Sequence, residues 1–335
     1  MLAYANEKSK KEKNMKKIIA AALCCVVFTG LLGGCSTSNK ETTKQTTVAA
    51  QESEAASTDK KEEESKKETS TETETASVNE EQRIAATSVA IVEILDALQV
   101  PVAGVPTSQY TLPESVKDAT EIGSPMSPDF EVVQSLDPTL VLSVSTLEGD
   151  LQQKFQNLSI PVEFLDLSSF DGLTASIEEI GKLVGKESEA AVLSDSLKAK
   201  EQEVASKVSG KEKPSVLIIF GAGNNFMVAT DGTYIGDLVK RAGGENIITE
   251  GTGFIPVDME ALADKNPDVI LLMTHANPEE SKAAFDKEFE TNEAWKHFDA
   301  VNNEKVYALE TSYFGMSGNL LAGEALEKLI PYLYE

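Results

Sequence analysis

Gly123-Ser124-Pro125-Met126-Ser127-Pro128-Asp129-Phe130-Glu131 is the stretch on which the fold turns. Prolines stand on both sides of Met126. Proline fixes φ and pushes the residue before it toward extended backbone, so Ser124 and Ser127 are predicted extended and the loop stiff. Asp129 and Glu131 then open a helix, whose first N–H groups lack acceptors and favour acidic side chains. From Glu131 the chain runs through Leu136-Asp137-Pro138 into Thr139-Leu140-Val141-Leu142. The pattern returns when Asp258-Met259-Glu260 leads through Asn266-Pro267-Asp268 into Val269-Ile270-Leu271. In both copies the proline stands seven residues after the glutamate. The unit reads as helix, proline turn, buried parallel strand. Two copies about 130 residues apart predict two similar α/β lobes rather than a solenoid, whose repeats are shorter.

The remaining segments fall around these two units. A chain of 335 residues has room for about two domains. Its three cysteines, Cys24, Cys25 and Cys35, all precede the body, which can therefore form no disulfide. Met15-Lys16-Lys17 and the apolar run Ile18 to Leu32 have the form of a secretory signal peptide. The run is short for a membrane span, which needs about 20 residues. Met15 is the expected start of translation. Leu32-Gly33-Gly34-Cys35 resembles a bacterial lipobox, which implies cleavage before Cys35 and lipid on its thiol and amino group. From Ser36 to Gln82 the chain is Ser, Thr, Glu, Lys and Gln with almost no large apolar residue. It cannot offset its conformational entropy by burial and is expected to be a disordered, solvated tether.

The first lobe begins at Arg83. Strands are predicted at Arg83–Ala86, Val100–Pro106, Leu140–Val144 and Val162–Leu167, with a Thr87-Ser88-capped helix over Val89–Leu98. The second lobe shows strands at Pro214–Phe220, Phe226–Ala229, Val269–Leu272 and Val306–Leu309, and helices at Tyr234–Ala242 and Gly323–Tyr334. Between the lobes, Gly172 to Ser209 has no proline and one continuous apolar face, weakened only at Gly181 and Gly185. It reads as one long, stiff connecting helix, kinked if anywhere near Gly185. The expected fold is α/β: two lobes with mostly parallel sheets joined by a single long helix. The boundaries are 1–34 signal peptide, 35–82 lipidated tether, 83–171 first lobe, 172–210 backbone helix and 211–335 second lobe.

Charge excludes one class of partner. The chain holds 30 Lys plus Arg against 55 Asp plus Glu, a net of −25. Such a surface cannot neutralise phosphates, so nucleic acid is not expected. A nucleophile motif of the G-x-S-x-G or H-E-x-x-H kind is missing as well, which disfavours an enzyme.

Candidate ligands are few. The chain has two histidines. His297 lies in an amphipathic piece, Glu293 to Phe298, and reads as structural or surface. His275 follows the buried strand at Val269–Met273, and α/β proteins gather ligands beyond the carboxyl ends of their strands. Counted from the repeat prolines, the His275 loop is equivalent to the Thr146 loop of the first lobe. Met126 has Ile255 as its counterpart. Each lobe thus offers one soft or nitrogen ligand, from different loops. Methionine with histidine is a poor set for Zn²⁺ or Mn²⁺ and a known axial pair for haem iron.

With these residues in place, the body resembles the lipoprotein haem receptors of Gram-positive haem-uptake systems. The blocks that carry the likeness are Thr107-Ser108, Gly123 to Asp129, Leu142 to Glu148, Val228-Ala229-Thr230, Tyr234 to Val239, His275 with Pro278-Glu279-Glu280, Trp295 to Phe298 and Phe314-Gly315-Met316. They extend from about Arg83 to the C-terminus. The resemblance implies a two-lobed, non-enzymatic receptor of the helical-backbone class, monomeric and lipid-anchored at the outer face of the cell membrane. It implies haem, as transported ligand, held with its iron between Met126 and His275. The propionates would meet backbone N–H groups at Ala86, Thr87, Ser88 and Val89, in keeping with anion binding at a helix start. Glu131 and Glu260 would dock onto an ABC-transporter permease. The same fold could instead carry a ferric siderophore or a corrinoid, whose sites tend to use arginine and aromatic residues.

Overall fold

The computed structural model describes residues 82–222, 225–275 and 278–335. The leader (1–34), Cys35 and the tether up to residue 81 lie outside the described residues. The first lobe comprises β1 (Ile84–Ala86), α1 (Val89–Ala97), β2 (Gly104–Val105), β3 (Thr120–Glu121), β4 (Gly123–Ser124), β5 (Ser127–Pro128), α2 (Phe130–Ser135), β6 (Leu140–Val144), α3 (Glu148–Asn157) and β7 (Val162–Leu165). Its sheet has the order β3-β2-β1-β6-β7 and is parallel throughout.

The segment read as one connecting helix forms two, α4 (Phe170–Val184) and α5 (Glu187–Val208). Two glycines supply the reason. Gly185 stops α4 in a left-handed conformation at φ +69°, and Lys186 N–H donates to Gly181 O at 2.7 Å. That is the Schellman ending, which a residue with a Cβ adopts at a cost. Gly181 then lets the helices touch, since a Cβ there would stand 2.4 Å from Ala190 Cβ. Ser194 and Lys198 of α5 both reach Glu178 of α4 at 2.8 Å, so the two helices run side by side in opposite directions. The long connector is therefore α5 alone, about 33 Å at 1.5 Å per residue. Its first half packs on α4 and its second half on the other lobe.

The second lobe contains β8 (Ser215–Ala222), β9 (Asn225–Ala229), α6 (Tyr234–Arg241), β10 (Glu245–Asn246), β11 (Phe254–Pro256), α7 (Met259–Ala263), β12 (Val269–Thr274), α8 (Pro278–Thr291), α9 (Asp299–Asn302), β13 (Val306–Ala308) and α10 (Ala322–Tyr334). The sheet runs β11-β9-β8-β12-β13, with β10 paired to β8. β8, β10, β12 and β13 are parallel, whereas β9 is antiparallel to both its neighbours.

Period-two patterning explains the layers. On β8, Val216, Ile218 and Phe220 enter one core while Leu217 and Ile219 enter another; on β12, Val269, Leu271 and Met273 separate from Ile270 and Leu272 in the same way. Strands buried on both faces are thus uniformly apolar, as the sequence shows. One core is continuous through the molecule, from Ile91 and Leu142 of the first lobe through Ile177 and Leu197 to Leu271 and Leu326 of the second.

The repeat is structural as well as sequential. Asp129 caps α2 by accepting from the N–H groups of Glu131 and Val132, both at 3.1 Å. Asp258 caps α7 through Glu260 and Ala261, again both at 3.1 Å. The residue before each proline, Asp137 or Asn266, has positive φ (46° and 36°). Asp and Asn are the side chains that tolerate this conformation best after glycine. β6 and β12 then each pair in parallel with the first strand of their lobe.

Candidate functional site

Met126 is presented by a hairpin. β4 and β5 pair antiparallel, with Gly123 opposite Pro128 and Ser124 opposite Ser127, which leaves Pro125 and Met126 as the two-residue tip. Both serines are extended, as the flanking prolines require. Ser127 N–H donates to Ser124 Oγ at 3.2 Å. Gly123 has φ +88°, and a Cβ there would stand 2.9 Å from Asp129 N. Met126 is 75% exposed.

His275 leaves the carboxyl end of β12 and is half-buried; its N–H donates to Gly221 O at 3.4 Å. Burial lowers its pKa from the ordinary imidazole value, favouring the neutral ring that a metal requires. Among the described residues its ring partner is Tyr110 of the first lobe, with the hydroxyl 3.3 Å from Nδ1 and ring centroids 6.1 Å apart. Burial also raises the Tyr110 pKa and keeps the phenol protonated.

Tyr110 joins the two candidate ligands. Its N–H donates to Ser108 Oγ at 3.0 Å, a local turn that shapes the loop. Thr107, three residues earlier, donates from its N–H to Gly123 O at 2.9 Å and from its hydroxyl to Glu121 at 3.2 Å. The Met126 hairpin, the Thr107–Tyr110 loop and His275 are thereby connected through successive contacts across the gap between lobes. Tyr110 is hard to find from sequence: a single aromatic in a loop has no periodicity, and only the adjacent Thr107-Ser108 block points there.

The four residues expected to meet propionates divide at the start of α1. Ala86 is fully buried in β1, and Thr87 N–H donates to Leu142 O at 3.0 Å while its hydroxyl donates to Ser143 Oγ at 2.9 Å. Ala86 ends the strand, and Thr87, just after it, has its N–H already engaged by β6. Ser88 and Val89 head α1, where backbone N–H groups have no intrahelical acceptor. The first turn of α1 carries no acidic residue, unlike those of α2, α3, α4, α5 and α6.

Both arginines of the chain are engaged elsewhere. Arg83 Nε donates to Asp137 O, and its terminal nitrogen pairs with the Asp137 carboxylate, each at 2.7 Å. Arg241 pairs with Asp171 and Asp237, both at 2.8 Å, and with Glu201, while lying over the Phe170 ring.

Glu131 and Glu260 are both exposed, each at the second position of its capped helix. Thr146 lies in a 3₁₀ turn at the carboxyl end of β6, as His275 lies at the carboxyl end of β12 in the other sheet. Ile255 sits within β11, paired with Val228, so it is a paired strand residue and not, like Met126, a hairpin tip. His297 is exposed in a 3₁₀ turn. No helix of the described residues is long and apolar enough to cross a membrane.

Known proteins place this architecture. A family model described as "Periplasmic binding protein" matches residues 84–313. The high-affinity heme uptake system protein IsdE of Staphylococcus aureus (strain bovine RF122) is 42% identical over 268 residues, 79% of this chain and 92% of that protein. The crystal structure of S. aureus IsdE complexed with heme is 43% identical, with a TM-score of 0.72 over 76% of this chain and all of that one. A substrate-binding protein of an ABC transporter from Listeria monocytogenes EGD-e is likewise 43% identical, with a TM-score of 0.72 over 76% of this chain and 99% of its own. With the family model covering most of the body, and this identity over most of each chain, the protein belongs to the periplasmic binding protein family.

Proposed function

We propose that the protein is the haem-binding receptor of an ABC importer, a binding protein and not an enzyme, which delivers haem to a membrane permease. The observation that carries this reading is the placement of Met126 and His275. One stands exposed at a hairpin tip of the first lobe; the other leaves the carboxyl end of β12, an inner strand of the second lobe, and meets the first lobe through Tyr110. Thioether sulfur and neutral imidazole suit low-spin haem iron at its two axial positions. The N–H groups of Ser88 and Val89 would take propionate oxygens, and both arginines being engaged leaves the work to such neutral donors. The S. aureus relative complexed with heme supports the ligand class. Glu131 and Glu260 form the permease-docking pair, one from each lobe. Lipid on Cys35 would hold the monomeric receptor at the outer face of the membrane.

A haem titration followed by absorption tests the reading. Wild-type protein is expected to bind one haem with a six-coordinate, low-spin Soret spectrum. Met126→Ala and His275→Ala are each expected to weaken binding and move the Soret band; unchanged spectra in both variants would overturn the assignment. A ferric siderophore and a corrinoid, titrated in parallel, should not compete with haem.

A further inference from the structure

We propose that Tyr110 is a positioning residue for His275, acting from the opposite lobe. The inference rests on the haem reading above. An imidazole that gives its Nε2 lone pair to iron must carry its proton on Nδ1, and that N–H needs an acceptor. The Tyr110 hydroxyl lies 3.3 Å from Nδ1. With the iron bound, Nδ1–H would donate a hydrogen bond to the phenol oxygen, whose own O–H turns to another acceptor. The bond fixes both the tautomer and the rotation of a ring whose backbone is itself held by Gly221 O. Tyr110 is suited to this because its loop does not float: Thr107 ties it to Gly123 and Glu121, at the base of the Met126 hairpin. One lobe thus supplies one axial ligand directly and orients the other through a phenol.

The test is Tyr110→Phe in the full chain, titrated with haem, with the reduction potential of the bound iron recorded. Loss of an outer-shell acceptor typically lowers metal affinity by about 10–100-fold, and a loss in that range is expected here. The potential should rise, because an imidazole without an acceptor at Nδ1 is a weaker donor and stabilises ferric iron less. The Met–His Soret spectrum should persist at saturating haem. Phenylalanine keeps the ring and its packing, so a role in packing alone would leave affinity and potential unchanged; that result overturns the proposal. A phenolate-to-iron absorption band in the wild type, lost in Tyr110→Phe, would make Tyr110 a ligand and overturn it equally. The parent reading is judged separately on the wild type and His275→Ala: if the latter keeps the wild-type spectrum, the haem assignment falls first.

Discussion

An unbranched apolar side chain left three-quarters in solvent forgoes burial worth roughly 1.5–3 kcal/mol, and Met126 is held in that state by two prolines, a glycine and a hairpin. Stability does not explain the arrangement; the proposed ligation of haem iron would. Met126→Ala is therefore expected to change unfolding free energy by less than about 0.5 kcal/mol, as for other surface sites. The same variant should weaken haem binding, and denaturation and titration on one sample would separate the two effects. Glu93, one turn into α1, behaves oppositely. Burial, with Asp96 adding to it, raises its pKa above the ordinary carboxylate value of 4.5. The folded chain therefore holds this proton to higher pH than the unfolded chain does. The stabilising contribution is complete below pH 4.5 and is lost as pH rises through the folded value. Glu93→Gln should raise Tm at pH 7, with the advantage closing as pH falls toward 4.5.

At the scale of elements, the repeated helix–proline–strand unit explains both what the sequence discloses and what it hides. Asp129 and Asp258 were legible as helix starts because capping is local chemistry, and their bonds are alike to 0.1 Å. Replacing either by Ala should cost about 1 kcal/mol, measured as a shift in the urea midpoint. β6, β8 and β12 were legible because strands buried on both faces are uniformly apolar. β10 and β11 were not, since Glu245–Asn246 is too short for a pattern and Phe254–Pro256 contains a proline at a sheet edge. α8 escapes a sequence reading because its many charged residues hide the few apolar positions that anchor it, Phe285 against Phe226 of the sheet and Phe289 against Trp295. The single-helix reading of 172–210 weighed Gly181 and Gly185 as weak spots along one axis. Their roles concern a second helix, and close approach between elements leaves no periodic trace.

For the whole molecule, the proposed ligand pair rests on residue chemistry and strand ends, whereas the tie between lobes could not be read from the sequence. That tie depends on which loops meet, through Tyr110 on one side and the Arg241 cluster on the other. Asp237 accepts from Phe170 N–H at 2.8 Å while pairing with Arg241, which fastens the start of α4 to α6. Arg241→Ala would leave Asp237 and Glu201 partly buried without their cation and should destabilise the protein by roughly 2–4 kcal/mol in equilibrium denaturation. The proposed docking onto a permease belongs to this scale also. Glu131→Ala combined with Glu260→Ala should leave haem affinity and the Soret spectrum intact while haem uptake by cells falls. Retained uptake in the double variant would remove these glutamates from the permease contact.

The engagement of both arginines has a last consequence, which concerns ionic strength. A receptor that grips carboxylates with guanidinium groups loses affinity as salt screens the pair. Here the propionates would meet only neutral backbone dipoles, on a molecule whose net charge of −25 repels them at long range. Salt then screens repulsion rather than attraction. Stopped-flow association with haem should accelerate between low and physiological NaCl, the reverse of the trend for an arginine-lined site, and the dissociation rate should hardly change.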